Sequence, residues 1–157
     1  MNTIIREMRK DEYPLLDDFL YESIYIPEGE KLPPKSIINS PELQEYIVGF
    51  GNSKHDRAFV AEVDGKIVGA VWARIMNDYG HVDDDTPSFA ISILKEYRGL
   101  GIGTTLLKKL LLNLKSSGYA NVSLSVQKAN YAVKMYRKAG FHVLRENEEE
   151  YIMVIEL

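Results

Sequence analysis

The feature that most constrains the fold is an apolar strand that runs into closely spaced glycines and then into a long apolar helix. Residues 88–94 form the apolar run, glycines follow at 99, 101 and 103, and a helical pattern extends from Gly101 to Ser117, with Gly118 placed to end it. Glycine lets backbone N–H groups approach a ligand without a Cβ atom in the way. A helix N-terminus adds unpaired donors and a partial positive charge. The segment therefore predicts an anion site, most naturally for a pyrophosphate.

The glycine spacing sets this segment apart from other phosphate-binding loops. The residue three positions after Gly101 is Thr104, so the G-x-G-x-x-G dinucleotide pattern is missing. The Lys-Ser/Thr pair of a P-loop is missing too, which argues against nucleoside triphosphate hydrolysis. The residues alone leave one alternative open, because glycines can simply permit a tight turn from strand to helix.

Composition excludes several classes of function. The chain has 157 residues, 45% of them hydrophobic, which suits one domain over residues 1–157 and excludes a disordered chain. Its 19 Lys and Arg against 23 Asp and Glu give a net charge of −4, so no nucleic-acid partner is expected. No run approaches the ~18 apolar residues of a membrane span, and the first ten residues lack the apolar stretch of a signal peptide. We therefore expect a cytoplasmic protein with no membrane partner.

The chain contains no cysteine. This removes disulfides, thiolate zinc sites, iron–sulfur clusters and any cysteine nucleophile. The three histidines, His55, His81 and His142, show no metal-ligand spacing, so no metal site is expected.

The predicted elements follow the order β-α-α-β-β-β-α-β-α-β-β, which implies an α/β or α+β fold with a sheet of mixed direction. Asp64-Gly65 between two β-rich runs predicts a tight hairpin. Asp11 is the predicted N-cap of the first helix, and the stretch from Ile26 to Pro41 predicts an irregular loop. The remaining predictions are strands at 3–8, 58–63, 66–75, 88–94, 121–126, 141–144 and 151–157, and helices at 42–50, 101–117 and from Asn130 to Gly140.

Two motifs resemble those of a known family. Residues 98–103, Arg-Gly-Leu-Gly-Ile-Gly, match the Gln/Arg-x-x-Gly-x-Gly/Ala signature of the GNAT superfamily of N-acetyltransferases. Residues 130–141, which begin Asn-Tyr-Ala and end Gly-Phe, resemble the second motif of the family, with Tyr131 where proline is common. The order of elements agrees along nearly the whole chain.

This resemblance implies a mostly antiparallel sheet that splays between its fourth and fifth strands and binds acetyl-CoA there. The pantetheine arm would pair with the backbone of the fourth strand, and the pyrophosphate would lie on the glycine loop. The cofactor contacts so implied are Ile91, Ser92, Ile93, Arg98, Gly99, Leu100, Gly101, Ile102, Gly103, Thr104 and Asn130.

The resemblance also implies that Tyr136 lies near the sulfur of CoA. A phenol of pKa ~10 is protonated at pH 7 and can donate to a leaving thiolate whose thiol has pKa ~8.5, a transfer uphill by about 2 kcal/mol. Tyr136 is therefore the candidate general acid, and a buried core tyrosine is the alternative. Since the chain has no cysteine, direct attack of an amine on the thioester is the simplest route.

The general base is left open by the sequence. An alkylammonium of pKa ~10.4 is unprotonated in only about one molecule in several thousand at pH 7, so its deprotonation adds roughly 4–5 kcal/mol unless a base assists. The acidic cluster of Glu146, Glu148, Glu149 and Glu150 is interpreted as a solvated turn. Trp72 and Arg74 share one face of their strand, and that face is either the cleft side or the core side. The candidate bases by residue type are Glu62, His81, Asp83, Asp84, Asp85 and Glu96, and Ser92 is a candidate to orient a water.

The acceptor is also left open. The family covers it with a variable segment, which here contains Tyr21, Tyr25, Ile26, Pro27 and residues 28–34. Its aromatic and acidic residues suit a cationic or amphipathic amine, and a hydrophobic staple between two helices is the alternative. Small-molecule amines and peptide amines are both candidate acceptors. A homodimer is the candidate assembly. Transfer of another acyl group and a non-catalytic acyl-CoA-binding module are the competing functions, although Tyr136 favours an enzyme.

Overall fold

The computed structural model describes residues 1–157 and contains one seven-stranded sheet in the order β1-β2-β3-β4-β5-β7-β6. All neighbouring strands are antiparallel except β4 and β5, which are parallel. This arrangement confirms the predicted mixed sheet. The strands are β1 (Thr3–Glu7), β2 (Arg57–Val63), β3 (Lys66–Arg74), β4 (Ser88–Ile93), β5 (Asn121–Gln127), β6 (His142–Glu146) and β7 (Glu150–Glu156).

Helices cover both faces of the sheet. The helices are α1 (Leu16–Ser23), α2 (Pro41–Gln44), α3 (Ile102–Ser116) and α4 (Val133–Ala139). Helix α3 buries Leu106, Leu107, Leu110 and Leu114 in an apolar core with Val71 of β3 and with alternate residues of β5. Helix α1 packs on the opposite face, where Leu16 and Leu20 share a second core with Trp72. The two faces thus have separate cores, divided by the sheet.

The β2–β3 hairpin turns at the predicted dipeptide. Asp64 has φ 50° and Gly65 has φ 85°, the pair of positive angles that a two-residue type I′ turn requires. Val63 pairs with Lys66 directly across the turn. This fixes the register next to the turn, and a bulge between Ala61 and Glu62 shifts it farther along β2.

The sheet splits between β4 and β5. Only Ser88 and Ser123 are paired in this parallel ladder, and the Ser123 N–H donates to the Pro87 carbonyl at 3.0 Å. Beyond Ser88 the two strands separate. One edge of β4 is therefore left without a strand along most of its length.

The N-terminal cap of the first helical segment differs from the prediction. The segment begins with a 3₁₀ turn over Lys10–Leu15, and its N-cap is Arg9, so the assignment of Asp11 was wrong. The Glu12 carboxylate accepts the Arg9 N–H at 2.8 Å and also binds the Arg6 guanidinium at 2.7 Å. Because Arg6 lies on β1, this cap depends on a partner outside the helix.

Two other boundaries differ from the prediction. Helix α2 ends at Gln44, and turns follow to Phe50, so the helix predicted over 42–50 is shorter. The loop predicted from Ile26 to Pro41 contains a 3₁₀ turn over Lys35–Asn39. None of the helices has the length and apolar character that crossing a membrane requires.

Candidate active site

A cleft of about 1490 Å³ opens where β4 and β5 separate. It extends from the N-terminus of α3 past α4 to the loop that follows α1. Backbone and side chains of β4 and β5 form its walls, and Tyr25 and Leu32 of that loop border it. It reaches both faces of the sheet, since Tyr136 of the α3 side and Tyr46 of the α1 side both line it.

The glycine loop presents a row of backbone donors to this cleft, and of residues 99–104 only Leu100, which is exposed, does not line it. The N–H groups of residues 99–104 donate to no carbonyl of the chain, and the helical ladder of α3 starts with Thr105 N–H bonded to the Gly101 carbonyl at 3.1 Å. Gly99 and Gly101 have φ of 77° and 83°, and the space where their Cβ atoms would lie is open. Several unpaired donors at the positive end of a fifteen-residue helix are the arrangement that an anion needs from a protein backbone.

The free edge of β4 offers a second set of backbone groups. In the β3–β4 ladder the Leu94 N–H bonds to the Val68 carbonyl, so the even-numbered residues of β4 are bonded to β3. By alternation the N–H groups of Ile91 and Ile93, and the Ile91 carbonyl, point into the split. An extended amide-containing arm can pair with them as a further strand does.

Two of the predicted cofactor residues have side chains engaged within the chain. The Ser92 hydroxyl donates to the Phe19 carbonyl of α1 at 2.6 Å, so it faces α1 and holds that helix against β4. Arg98 donates through Nε to the Ile93 carbonyl at 2.8 Å and lies 3.4 Å from the Glu22 carboxylate. Arg98 is half-exposed at the rim of the cleft, where its guanidinium adds positive charge beside the glycine loop.

Tyr136 is on helix α4, and its ring lies between strand β4 and Phe141, which follows the helix. Asn130 starts this segment, with Oδ1 accepting the Ala132 N–H at 2.8 Å. The ring of Tyr136 packs edge-on against Phe89 and Phe141, with centroids 6.0 Å apart in each case. Its side chain is buried but lines the cleft, and burial raises the pKa of the phenol. The group is therefore a neutral donor throughout the physiological pH range.

The segment after α1 closes over the cleft. The Tyr25 hydroxyl donates to the Ala129 carbonyl, at 3.4 Å, beyond the end of β5. The Tyr21 hydroxyl donates to the Pro33 carbonyl at 2.5 Å and folds the loop onto α1. Tyr21 and Tyr25 both line the cleft.

The other residues considered for the acceptor side are structural. Trp72 is fully buried, and its Nε1–H donates to the Tyr46 carbonyl at 3.0 Å. Arg74 forms an ion pair with Asp56 at 3.1 Å and donates to the Val48 carbonyl. Both side chains hold the chain after α2 against the sheet.

Most of the candidate bases lie away from the cleft. Glu62 forms an ion pair with Arg6 at 2.6 Å. Residues 83–85 border a separate surface cavity of about 480 Å³ with His55. His81 Nδ1 lies 2.9 Å from the Met76 carbonyl. Among the candidates only Glu96 borders the cleft, and it is exposed at the rim.

One carboxylate in the cleft was missed by sequence reasoning. Glu150 is the first residue of β7, is half-buried and lines the cleft, so interpreting the whole acidic run as a solvated turn was wrong for this residue. Its Oε2 accepts a hydrogen bond from the Ser125 hydroxyl of β5 at 3.2 Å. The available signal was strand alternation, which groups Glu150 with Ile152 and Val154.

Comparison with known proteins identifies the family. Residues 16–154 match the model of the acetyltransferase (GNAT) domain. The chain is 33% identical over 131 residues, 73% of each chain, to an N-alpha-acetyltransferase of Sulfurisphaera tokodaii. It is 41% identical over 59 residues, 38% of this chain and 40% of the other, to the ribosomal protein bS18-alanine N-acetyltransferase of Haemophilus influenzae.

The fold agrees with that of a solved relative. The PaiA N-acetyltransferase of Thermoplasma acidophilum, in complex with coenzyme A, superposes with a TM-score of 0.73 at 22% identity over 100% of both chains. It shares the split sheet with flanking helices. From its sequence and its fold, this chain belongs to the GNAT family and is an acyl-CoA-dependent N-acetyltransferase.

Proposed function

We propose that this enzyme transfers the acetyl group of acetyl-CoA directly to a primary amine, with the N-terminal α-amine of a polypeptide as its acceptor. The observation that carries the proposal is the row of free N–H groups at residues 99–104, which faces the same cleft as the phenol of Tyr136. An anion site and a neutral proton donor in one cleft suit a thioester with a pyrophosphate tail.

The cofactor lies along β4 in this proposal. Residues 99–104 bind the pyrophosphate through backbone donors, and Arg98 adds a positive charge beside them. The amides of the pantetheine arm pair with Ile91, whose backbone groups face the split. Asn130 acts indirectly, because its side chain accepts the Ala132 N–H in the turn that leads into α4 and so helps to position that helix with Tyr136.

Tyr136 donates a proton to the CoA thiolate as the C–S bond breaks. Its phenol is neutral because burial raises its pKa. The same apolar surroundings raise the pKa of the thiol, so the difference between the two acids sets the cost of the transfer. Starting from ordinary pKa values of ~10 and ~8.5, that difference is about 2 kcal/mol, which collapse of the tetrahedral intermediate offsets.

An α-amine is the acceptor that this site can use most easily. Its pKa of ~7.7–8.0 leaves roughly a tenth of it unprotonated at pH 7, against about one part in several thousand for a lysine side chain. Two named relatives act on α-amines, an N-alpha-acetyltransferase and a ribosomal protein alanine N-acetyltransferase. An open cleft bordered by the loop after α1 has room for an extended peptide N-terminus.

The test is a transfer assay with matched acceptors. Purified protein and acetyl-CoA are incubated with peptides that have a free N-terminus, with the same peptides blocked there but containing lysine, and with small amines, and CoA release is followed. We expect turnover of the free N-termini above both other groups. Preference for small amines would refute the acceptor, and absence of transfer to every amine would refute the enzyme function proposed.

A matched pair of variants tests the role of Tyr136. Tyr136→Phe keeps the ring between Phe89 and Phe141 and should lower turnover by about 10²-fold while the affinity for CoA is unchanged. Tyr119→Phe removes a hydroxyl that contacts His55 outside the cleft and should not change turnover. Wild-type rates for Tyr136→Phe across pH would refute the general-acid assignment.

A further inference from the structure

The carboxylates that border the cleft differ in what they are paired with. Glu22 is beside the guanidinium of Arg98, and Glu28 and Glu96 are exposed to solvent. Glu150 is half-buried and has only a neutral partner, the Ser125 hydroxyl at 3.2 Å. A partly buried carboxylate without a cation is costly unless a ligand supplies one.

The basic side chains near Glu150 are engaged with other groups. Lys128, just beyond β5, forms an ion pair with Glu146 at 2.7 Å. Arg145 of β6 donates to the His81 carbonyl at 2.7 Å. No ion pair of the chain involves Glu150, so its negative charge remains available to the cleft.

Glu150 lies on the face of the sheet opposite Tyr136. In the β5–β7 ladder Glu150 pairs with Gln127, and Ser125, two residues earlier, is on the same face. Leu124 and Val126 point the other way, into the core that contains Tyr136. A thioester held in the split thus has the phenol on one side and the carboxylate on the other.

The surroundings of Glu150 suit a cationic group. Tyr46 and Tyr79 border the cleft from the α1 side. Burial is the main cause that raises the pKa of both phenols, Asp78 is the next cause for Tyr46 and Glu42 for Tyr79, and the charge of Glu150 adds a smaller contribution to each. Asp78 does not line the cleft, and burial raises the pKa of its carboxyl. Aromatic rings beside carboxylates form a site of negative potential that binds an ammonium.

We propose that Glu150 binds the ammonium of the acceptor and takes its proton as the general base, with Ser125 orienting the carboxylate. This inference rests on the proposed function. It assigns the acceptor to the α1 face of the split and gives the base that the sequence left open.

The proton balance is complete with the groups described. Glu150 takes one proton from the ammonium, and the neutral amine attacks the thioester carbon. The C–N bond forms, the C–S bond breaks, and the thiolate receives the proton of Tyr136. The second N–H proton of the acceptor leaves to solvent, from which Tyr136 regains the proton it gave, and Glu150 releases its proton to solvent to restore the carboxylate. The products are the acetylated amine, CoA thiol and one proton.

The test uses the pH dependence of kcat/KM for the best peptide acceptor of the panel. Glu150→Gln should lower kcat/KM by about 10²-fold at pH 7. The difference in kcat/KM between the wild type and this variant should become smaller as the pH rises through ~8, where the α-amine loses its proton unaided. Glu149→Gln changes the adjacent exposed carboxylate and should match the wild type. The affinity for CoA should be equal in all three proteins.

The outcomes separate this inference from the proposal on which it rests. Wild-type turnover with an unchanged pH profile in Glu150→Gln overturns the role of Glu150 and leaves the acetyltransferase assignment intact. An equal loss at every pH also overturns it, because a merely structural role gives that result. A wild-type enzyme that transfers to no amine overturns both.

Discussion

Replacing Gly101 by alanine should weaken both the fold and CoA binding, whereas the same change at Gly103, which also borders the cleft, should not weaken the fold. Gly101 has φ 83° at the N-cap of α3, and an added Cβ would meet no atom within 4 Å. The cost is therefore one of backbone conformation, about 1–2 kcal/mol for an L-residue in the left-handed region. In a chain of this length about 1–2 kcal/mol lowers Tm by roughly 2–8 °C.

Gly103 provides the matched control for this experiment. It lies inside α3, and an added Cβ would be 3.5 Å from the Met135 Sδ and 3.8 Å from the Ile93 Cγ1, both ordinary contacts. Alanine there should raise the free energy of unfolding by up to about 1 kcal/mol through helix propensity. The two variants thus add the same methyl group two residues apart, with opposite effects on stability.

The assay measures stability and affinity separately. Thermal unfolding followed by circular dichroism without ligand gives the first, and calorimetric titration with CoA gives the second. The methyl group of Gly101→Ala lies in the open space of the glycine loop, so Kd should rise at least tenfold, about 1.4 kcal/mol. A Gly101→Ala protein as stable as the wild type would refute the conformational argument. An unchanged Kd would refute the assignment of this loop to the pyrophosphate.

Two further predictions concern the scaffold. Trp72→Phe should lower the free energy of unfolding by about 1–3 kcal/mol, because it leaves a cavity and removes the 3.0 Å hydrogen bond to the Tyr46 carbonyl. Urea denaturation measures this change. A smaller loss would show that the segment after α2 is held by other contacts. The hydrogen bond from Arg6 lowers the pKa of Glu12 from 4.5 to about 2, so its stabilisation is complete above the unfolded pKa and is lost as the pH falls from about 5 to about 2. Glu12→Gln should therefore flatten the pH dependence of the urea midpoint in that range. Asp11→Asn changes an exposed neighbour and should leave this dependence as in the wild type. The same pH dependence in the wild type and both variants would contradict the argument.

Much of the fold was predictable because its signals are local. The Asp64-Gly65 turn needs only the two residues that adopt positive φ, and the glycine loop with its apolar helix is likewise contained in one segment. The cap of the first helix was not local, since Glu12 is held by Arg6 from β1. Residue preference at the helix start favoured Asp11, and a contact between distant segments determined the outcome.

The free backbone donors of the proposed cofactor side were predictable, and the carboxylate of the proposed acceptor side was not. The donors at residues 99–104 belong to the backbone, and the glycine pattern indicates them directly. Glu150 was missed because it lies at the boundary between an acidic turn and β7, where one residue decides whether a side chain faces solvent or the cleft. The sequence alone also did not determine which side chains Trp72 packs against, because that depends on α1, which covers its face of the sheet.

The single pairing between β4 and β5 has a consequence for the lifetime of the protein. The β1–β4 and β5–β7 parts of the sheet are joined by one rung, Ser88 with Ser123, so the sheet has a built-in seam. In the binding mode proposed above, a cofactor that pairs along Ile91 acts as the missing strand and ties the two parts together. At a hundred times its Kd such a ligand adds about 2.7 kcal/mol against unfolding. Resistance of the enzyme to proteolysis then follows the supply of its own cosubstrate, and a scarcity of acyl-CoA would shorten its survival as well as its activity.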